Sequence, residues 1–443
     1  MRERVIYGTT VMNNPIFDAE EPLIHFPGTC YADGRSFSID ERIFSKHLLL
    51  LGGSGCGKTN TFLFAMKQML RNLKEEDVAI VFDTKGEFYE KFYRPGDYVI
   101  GNSPEFLHKS HAWNIFDEIL ADGDSEYAIQ TNAREIAAAL FHGRGSSSQP
   151  FFCNAAKELF YAVLIYFIRQ SRANPQLWLP RLNNLDLKKA LTQFQAQDYV
   201  NIFNKYQDLK YMQTYIGNGS SNQALGVFGE LNSMIAEFFV GNLAQNYPDR
   251  KLSMRNAIRR RGGKIIFIEY DLAMGEILTP VYRLLVDQAL KEALSRQSSV
   301  KDKKFHCYLF VDEFKLLPKL QHIDDALNFG RGLGVRVMAG IQSINQLYDI
   351  YGREKGEVLV SGFGSLLAFR TNDNVSREYV GQLLGPNVTV YQYVNELDNT
   401  VYTEQRQGST VEQWDQLNLG VGQAIVSMGD HLPLLYQFAE YKE

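Results

Sequence analysis

The sequence predicts an α/β protein, a mostly parallel sheet with helices on both faces, interrupted by an inserted all-helical block. Three observations carry that reading. The runs LLLL (48–51), VAIVF (78–82), KIIFIE (264–269) and FHCYLFV (305–311) lack polar alternation and read as strands buried on both faces. Helical spacing separates such runs, at Asn60–Leu70, Pro280–Leu294 and Ile344–Tyr351, the rhythm of parallel crossovers. Between about Glu126 and Arg261 the strand pattern stops, and only helical stretches follow one another.

Taken in order, residues 1–43 read as a short strand-rich appendage, with VIYG, PLIHF and a turn at Ala32-Asp33-Gly34-Arg35. Residues 44–118 and 262–443 make the nucleotide-binding domain argued below, and 119–261 the helical insertion. Tyr98–Ile100 is a further strand of the first part. Within the insertion, helices are predicted at Ile129–Phe141, Asn154–Arg169, Leu185–Phe194, Tyr199–Tyr211 and Ala224–Gly241, with the SSSQ tract (146–149) as a mobile surface loop. Strands at Val335–Gly340 and Leu366–Phe369 and helices at Ile323–Phe329 and Val375–Leu384 restore the alternation. Short strands at Val388–Tyr393 and Ala424–Met428 close the chain.

The stretch HLLLLGGSGCGKT (47–59) organises the rest. Gly52, Gly57, Lys58 and Thr59 fit G-x-x-x-x-G-K-[ST], the phosphate-binding loop, set between a buried strand and an amphipathic helix. Glycines let backbone N–H groups turn inward around phosphate oxygens, and the helix N-terminus adds its positive dipole end. Gly52, Gly53, Ser54, Gly55, Cys56, Gly57, Lys58, Thr59 and Asn60 are therefore the expected nucleotide contacts. Lys58 reaches the β/γ-phosphates, and the Thr59 hydroxyl ligates Mg²⁺, so Mg-ATP is the expected cofactor.

Hydrolysis further needs a carboxylate for the metal and a group that orients and deprotonates water. YLFVDE (308–313) supplies Asp312 for Mg²⁺ and Glu313 as general base at the end of a buried strand. Gln342 ends the next buried strand, where its amide can contact a γ-phosphate or the attacking water. Arg331 is the expected arginine finger, presented to a neighbouring subunit's nucleotide, and Arg370 is its rival.

Composition narrows the rest. The chain has 443 residues, 45% of them apolar, and a net charge of −5, which excludes a globally basic nucleic-acid coat. Four scattered cysteines form no C-x-x-C, so neither a disulfide framework nor a zinc site is indicated, and a reducing compartment fits. The N-terminus has no apolar core of a signal peptide. The longest apolar run, Leu159–Ile168, is about half the length of a membrane span. A soluble cytoplasmic protein is expected. Lys251–Lys264 carries six basic residues and no acid, either a DNA-facing patch or a solvated helix end.

These residues resemble the motor domain of conjugative coupling proteins of the TraG/TraD type, within the HerA/FtsK group of DNA translocases. The matching features, in order, are GGSGCGKT, DTKGEFYE, Trp113-Asn114-Ile115-Phe116, VDEFKLLPKL, NFGRGLGVRVMAGIQSINQLYDIYG and FRTNDNVSREYVGQLLG. They cover roughly residues 40–385. The resemblance implies a RecA-like core, a homo-hexameric ring, and ATP hydrolysis coupled to moving single- or double-stranded DNA towards a type IV secretion channel. Relaxosome or channel proteins are the implied partners. Ile115 stands where the family usually has proline. Members of the family begin with transmembrane helices and this sequence shows none, so membrane association is expected only through partners or a missing anchor. A HerA-like translocase serving a nuclease or defence effector, and a nucleotide-controlled recruitment adaptor, are the alternatives.

Overall fold

The computed structural model describes residues 2–142, 150–217, 219–295, 305–394 and 401–442, which fold as two compact units. The SSSQ tract lies outside the described residues. The first unit comprises Met1–Pro95, Gly262–Ile265 and Ala293–Glu443, the second Gly96–Arg261 and Ile266–Glu292.

The first unit is built on eight strands. In chain order these are β1 (Gly28–Cys30), β2 (Leu48–Leu51), β3 (Val78–Asp83), β4 (Cys307–Val311), β5 (Val335–Ile341), β6 (Ser365–Phe369), β7 (Gln423–Met428) and β8 (Leu434–Phe438). In space they run β1-β8-β7-β6-β2-β5-β4-β3. The five strands from β6 to β3 are parallel, and β7, β8 and β1 continue the sheet antiparallel. β2 to β6 are buried along their whole length, as their unbroken apolar runs require. Register aligns Leu51 with Ile341 and Val311 with both Ala339 and Phe82, so the carboxyl ends of four strands share one edge. Ligands of open α/β sheets sit on that edge.

The segment expected as an appendage is instead part of this unit. β1 pairs with β8, Pro22–Phe26 pairs with Phe37–Asp40, and Arg2–Tyr7 pairs with Pro386–Val394. The cause is aromatic packing that no local pattern announces. Phe37 lies 5.0 Å from Phe26 and 4.8 Å from Tyr436 between ring centroids, and the Tyr436 hydroxyl donates to Phe26 O at 2.6 Å. Two strands, Val401–Ser409 and β8, were also not foreseen; the first pairs with Pro386–Val394 in a separate antiparallel sheet.

The second unit is mainly helical around Pro150–Ala173, with Glu126–Phe141 and Asn222–Phe238 packed against it. That central helix is long and apolar enough to cross a membrane by length and composition, but 67% of its apolar window is buried inside the protein. The unit is larger than the predicted 119–261 insertion. Tyr98–Ile100 pairs in parallel with Ile266–Ile268, and Asn242 donates to Gly101 O at 2.7 Å. Arg283 and Gln288, on the helix Gly275–Ala293, donate to Ala139 O (2.7 Å) and Glu135 (3.0 Å). These bonds draw 96–118 and 266–292 into the helical body.

Trp113-Asn114-Ile115-Phe116 is a staple of this unit. The fully buried Glu118 accepts from Trp113 Nε1 (3.0 Å) and from the N–H groups of Met254 (2.8 Å) and Arg255 (2.9 Å). Ile115 N–H donates to Asn184 Oδ1 at 3.0 Å, a bond that the proline usual at this position cannot make.

The basic run 251–264 faces inward at its two i, i+4 arginines. Arg255, itself buried, pairs with Glu292 (3.1 Å) and Asp122 (2.7 Å), and Arg259 pairs with the same two carboxylates. Neither arginine is a solvated helix end or free for DNA phosphates. Burial alone would raise the Asp122 pKa, yet hydrogen bonds from Arg255, Asn132 and Arg259 hold its carboxyl well below the usual range. A depressed folded-state pKa stabilises above the unfolded value, near 3.9, and the contribution is lost as pH falls below it. Wild type is therefore expected to lose more melting temperature than Asp122→Asn between about pH 5 and pH 3. Parallel acid slopes in thermal melts would exclude this role.

Candidate functional site: a phosphate loop beside paired carboxylates

The loop 52–57 joins β2 to the helix Lys58–Arg71 at the shared carboxyl edge. Gly57 starts the helix at φ 114° and offers no side-chain cap, so the first-turn N–H groups are left for an anion. The curl is tight where glycine is required. A Cβ on Gly52 would come within 2.6 Å of Phe369 Cβ and 2.8 Å of Cys56 Sγ. Gly52 N–H donates to Ile341 O (3.1 Å) and Gly53 N–H to Arg370 O (2.8 Å), tying the loop to β5 on one flank and β6 on the other. The Lys58 ammonium is buried and donates to Gly52 O (2.7 Å) and Gly53 O (3.0 Å).

β4 delivers Asp312 and Glu313 to the same edge. Thr59 Oγ1 donates to Asp312 Oδ2 at 2.8 Å. Asp312 is buried and its pKa is raised, first by desolvation and then by the Glu313 charge, while the Thr59 bond and the charges of Lys58 and Lys85 oppose the rise. Its second oxygen, Oδ1, is buried without a hydrogen-bond partner among the described residues. A carboxylate that carries one unused oxygen beside a hydroxyl is a fit for a hard divalent cation. Among the described residues no group of three or more His, Cys, Asp or Glu could hold a metal alone, so such an ion needs further ligands from phosphate and water.

Glu313 is half-buried and held by its neighbour. Gln342 Nε2 donates to Glu313 Oε1 (2.9 Å) and Oε2 (3.2 Å). The strand order explains the pairing. β5, which ends in Ile341-Gln342, lies between β2 with its loop and β4 with its carboxylates. Gln342 is thereby set between the phosphate loop and Glu313. Gly340 permits the close approach of β5 to β4, since a Cβ there would sit 2.2 Å from Asp312 O.

Lys58, Thr59, Asp312, Glu313 and Gln342 are thus brought together, and Arg331 is not. It is exposed on the turn Gly330–Leu333 before β5, at the opposite edge of the sheet from Ile341. Within one chain it does not reach the loop. Arg370, at the end of β6, does lie beside the loop, and its charge is felt by the Cys56 thiol. The Asn60 side chain is engaged outside the cradle, its amide donating to Ala439 O (2.8 Å) and accepting from Tyr441 N–H (2.6 Å).

A family profile described as the type IV secretion-system coupling protein DNA-binding domain matches residues 35–429. The chain belongs to this family. Among curated relatives, VirD4 of Agrobacterium fabrum (strain C58) is 24% identical over 383 residues, covering 82% of this chain and 54% of that protein. The coupling protein TraD of Escherichia coli K12 is 21% identical over 347 residues, covering 77% of this chain and 44% of its own length. The chain spans about half the length of the curated relatives it matches. Among solved structures, the unbound conjugative coupling protein TrwBdeltaN70 matches with a TM-score of 0.71 at 19% identity, over 100% of this chain and 94% of that one. TrwB in complex with ADP and Mg²⁺ matches at 0.70 and 19% identity, over 100% and 95%. These likenesses confirm the RecA-type fold with its helical insert.

Two site residues of this coupling protein escape a reading by motif. Lys85, on the turn after β3, acts on Asp312 through its charge, and only its place in DTKGEFYE at the end of a buried strand hinted at it. The Asp83 carboxylate before it is structural, accepting from the N–H groups of Lys85, Gly86, Phe88 and Tyr89 and so fixing that turn. Gly422 had no signal at all. Its N–H donates to Cys56 O at 2.9 Å, although nothing around residue 422 resembles a nucleotide motif.

Proposed function

We propose that this chain hydrolyses Mg-ATP and couples hydrolysis to moving DNA, or a DNA–protein complex, into a type IV secretion channel. The convergence of Thr59 on Asp312 and of Gln342 on Glu313, across strands that meet at one edge, supports this reading most directly. Gly52 to Asn60 supply the backbone cradle, Lys58 supplies the charge for the β/γ-phosphates, and Thr59 with Asp312 would hold Mg²⁺. When bound, Mg²⁺ neutralises charge that develops on the phosphates. Glu313, held by Gln342, accepts the proton of an attacking water. Lys58 exchanges its bonds to Gly52 O and Gly53 O for phosphate oxygens.

In the same reading Arg331 completes the site of a neighbouring subunit in a homo-hexamer, which its position away from its own loop favours. Arg370 serves the loop in its own chain. The protein works in the cytoplasm at the inner face of the cell membrane, with relaxosome or channel proteins as partners. DNA binding is what the family description supports.

Phosphate release by wild type and Lys58→Ala, without DNA and with single-stranded or duplex DNA, tests the proposal. Wild type is expected to turn over faster with DNA, and Lys58→Ala to lose turnover under all three conditions. Wild-type turnover indifferent to both DNA forms would leave a recruitment adaptor in place of a motor.

A further inference from the structure

Arg331 stands exposed on the turn Gly330–Leu333, and its guanidinium makes no ion pair among the described residues. The backbone that carries it is held more firmly than an exposed turn requires. Gly334, at φ 86°, closes the turn where a Cβ would fall 2.0 Å from Phe305 O. Its carbonyl accepts from Cys307 N–H at 3.0 Å, which ties the turn to β4.

Arg336, near the start of β5, reaches back to the same turn. Its Nη1 donates to Arg331 O (3.1 Å) and to Val335 O (2.8 Å). Its Nε donates to Glu41 Oε1 (2.6 Å), and Nη2 pairs with the same oxygen (2.5 Å). The Arg336 side chain is 7% exposed. Glu41 is steadied in turn by His306, whose Nε2 lies 3.6 Å from it and whose Nδ1 lies 3.2 Å from the buried Asp77.

A buried guanidinium costs free energy unless its charge is paired and its N–H groups are bonded. Replacing such a pair by well-packed apolar residues is often neutral, so packing alone does not call for an arginine here. A planar fork bonds the Arg331 carbonyl and Glu41 at once, which neither an apolar side chain nor a lysine does. The result is a fixed backbone carrying an unengaged arginine, and only its side-chain torsions remain to be ordered by a neighbouring site.

We propose that Arg336, clamped by Glu41, is a positioning residue for Arg331. It holds the turn Gly330–Leu333 so that the Arg331 guanidinium is delivered to the nucleotide of a neighbouring copy of this chain. The inference rests on the reading of Arg331 as a finger in trans.

ATP turnover by Arg331→Ala, Arg336→Lys and Glu41→Gln, each alone and each mixed with excess Lys58→Ala, tests it. Lys58→Ala chains lack a working phosphate loop but keep the turn, so in a mixed assembly they lend Arg331 to a neighbour. Arg331→Ala is expected to lose at least about 10³-fold in kcat, the usual contribution of an arginine finger. Arg336→Lys is expected to lose about 10²-fold, the effect of displacing a positioned group by about 1 Å. Glu41→Gln, a half-exposed change that keeps the side chain's shape, loses less. The KM for ATP stays at the wild-type value in all three, because their own loops are intact. Added Lys58→Ala restores turnover of Arg331→Ala and Arg336→Lys at least about tenfold, a rescue that damage to a variant's own site does not show. Arg336→Lys at the wild-type rate overturns the positioning role, as does a deficit that raises KM or that Lys58→Ala does not relieve while it relieves Arg331→Ala. Where thermal melts show Arg336→Lys to be poorly folded, Glu41→Gln decides by the same criteria. Arg331→Ala at the wild-type rate, or slow and not rescued, overturns instead the reading of Arg331 in trans.

Discussion

Glu313→Gln is expected to bind Mg-ATP as wild type does and to turn it over about 10²- to 10⁴-fold more slowly, the usual contribution of a positioned general base. The substitution keeps the size of the side chain and removes only its charge and basicity. Thr59 and Asp312 pair with each other and not with Glu313, so the pair proposed to hold the metal is untouched. Gln342 supports the base and does not replace it, because an amide cannot take the proton. Gln342→Ala is accordingly expected to slow turnover less, since the carboxylate remains and only its orientation is lost. Single-turnover hydrolysis measured beside nucleotide affinity separates the two. Glu313→Gln hydrolysing ATP within threefold of wild type, on the order of no base contribution at all, would remove Glu313 from the chemistry.

The largest expected effect on stability lies far from that edge, in the helical unit. Glu292→Ala leaves Arg255 and Arg259 with Asp122 as their remaining carboxylate partner among the described residues, and Arg255 is buried. Removing one partner of a buried pair costs about 3–5 kcal/mol, because the other charge stays behind without compensation. Urea unfolding followed by tryptophan fluorescence reports on this unit, since Trp113 is bonded to the same Glu118 that holds the Arg255 N–H. An unchanged midpoint would mean that the arginines find solvent and that the cluster does not hold the unit together.

The sequence was most informative where function is written in contiguous residues. The curl of residues 52–59 follows from its glycines, and the strands on either side from their unbroken apolar runs, so the loop, Asp312 and Glu313 were all legible. The coupling-protein family was legible in the same way, from motifs in a fixed order. Gln342 was legible as a strand end, but its bond to Glu313 was not. Two arginines of the basic run 251–264 turn inward, which a charge count cannot show because it ignores the opposite charges that the fold brings to them from Asp122 and Glu292.

By itself, then, the sequence determined the α/β class, the helical insertion, the phosphate loop and the carboxylate pair Asp312 and Glu313 at a strand end. Each of these depends on local backbone preference or on burial along a single strand. Only the tertiary structure decided the strand order that puts Gln342 between loop and base, and that separates Arg331 from the loop while leaving Arg370 beside it. It also decided that residues 1–43 join the main unit, that the turn at Gly422 closes against the loop, and that Ala439–Tyr441 after β8 packs on the helix that follows the loop. These outcomes rest on packing between segments hundreds of positions apart. No short window of sequence carries the shape of both partners.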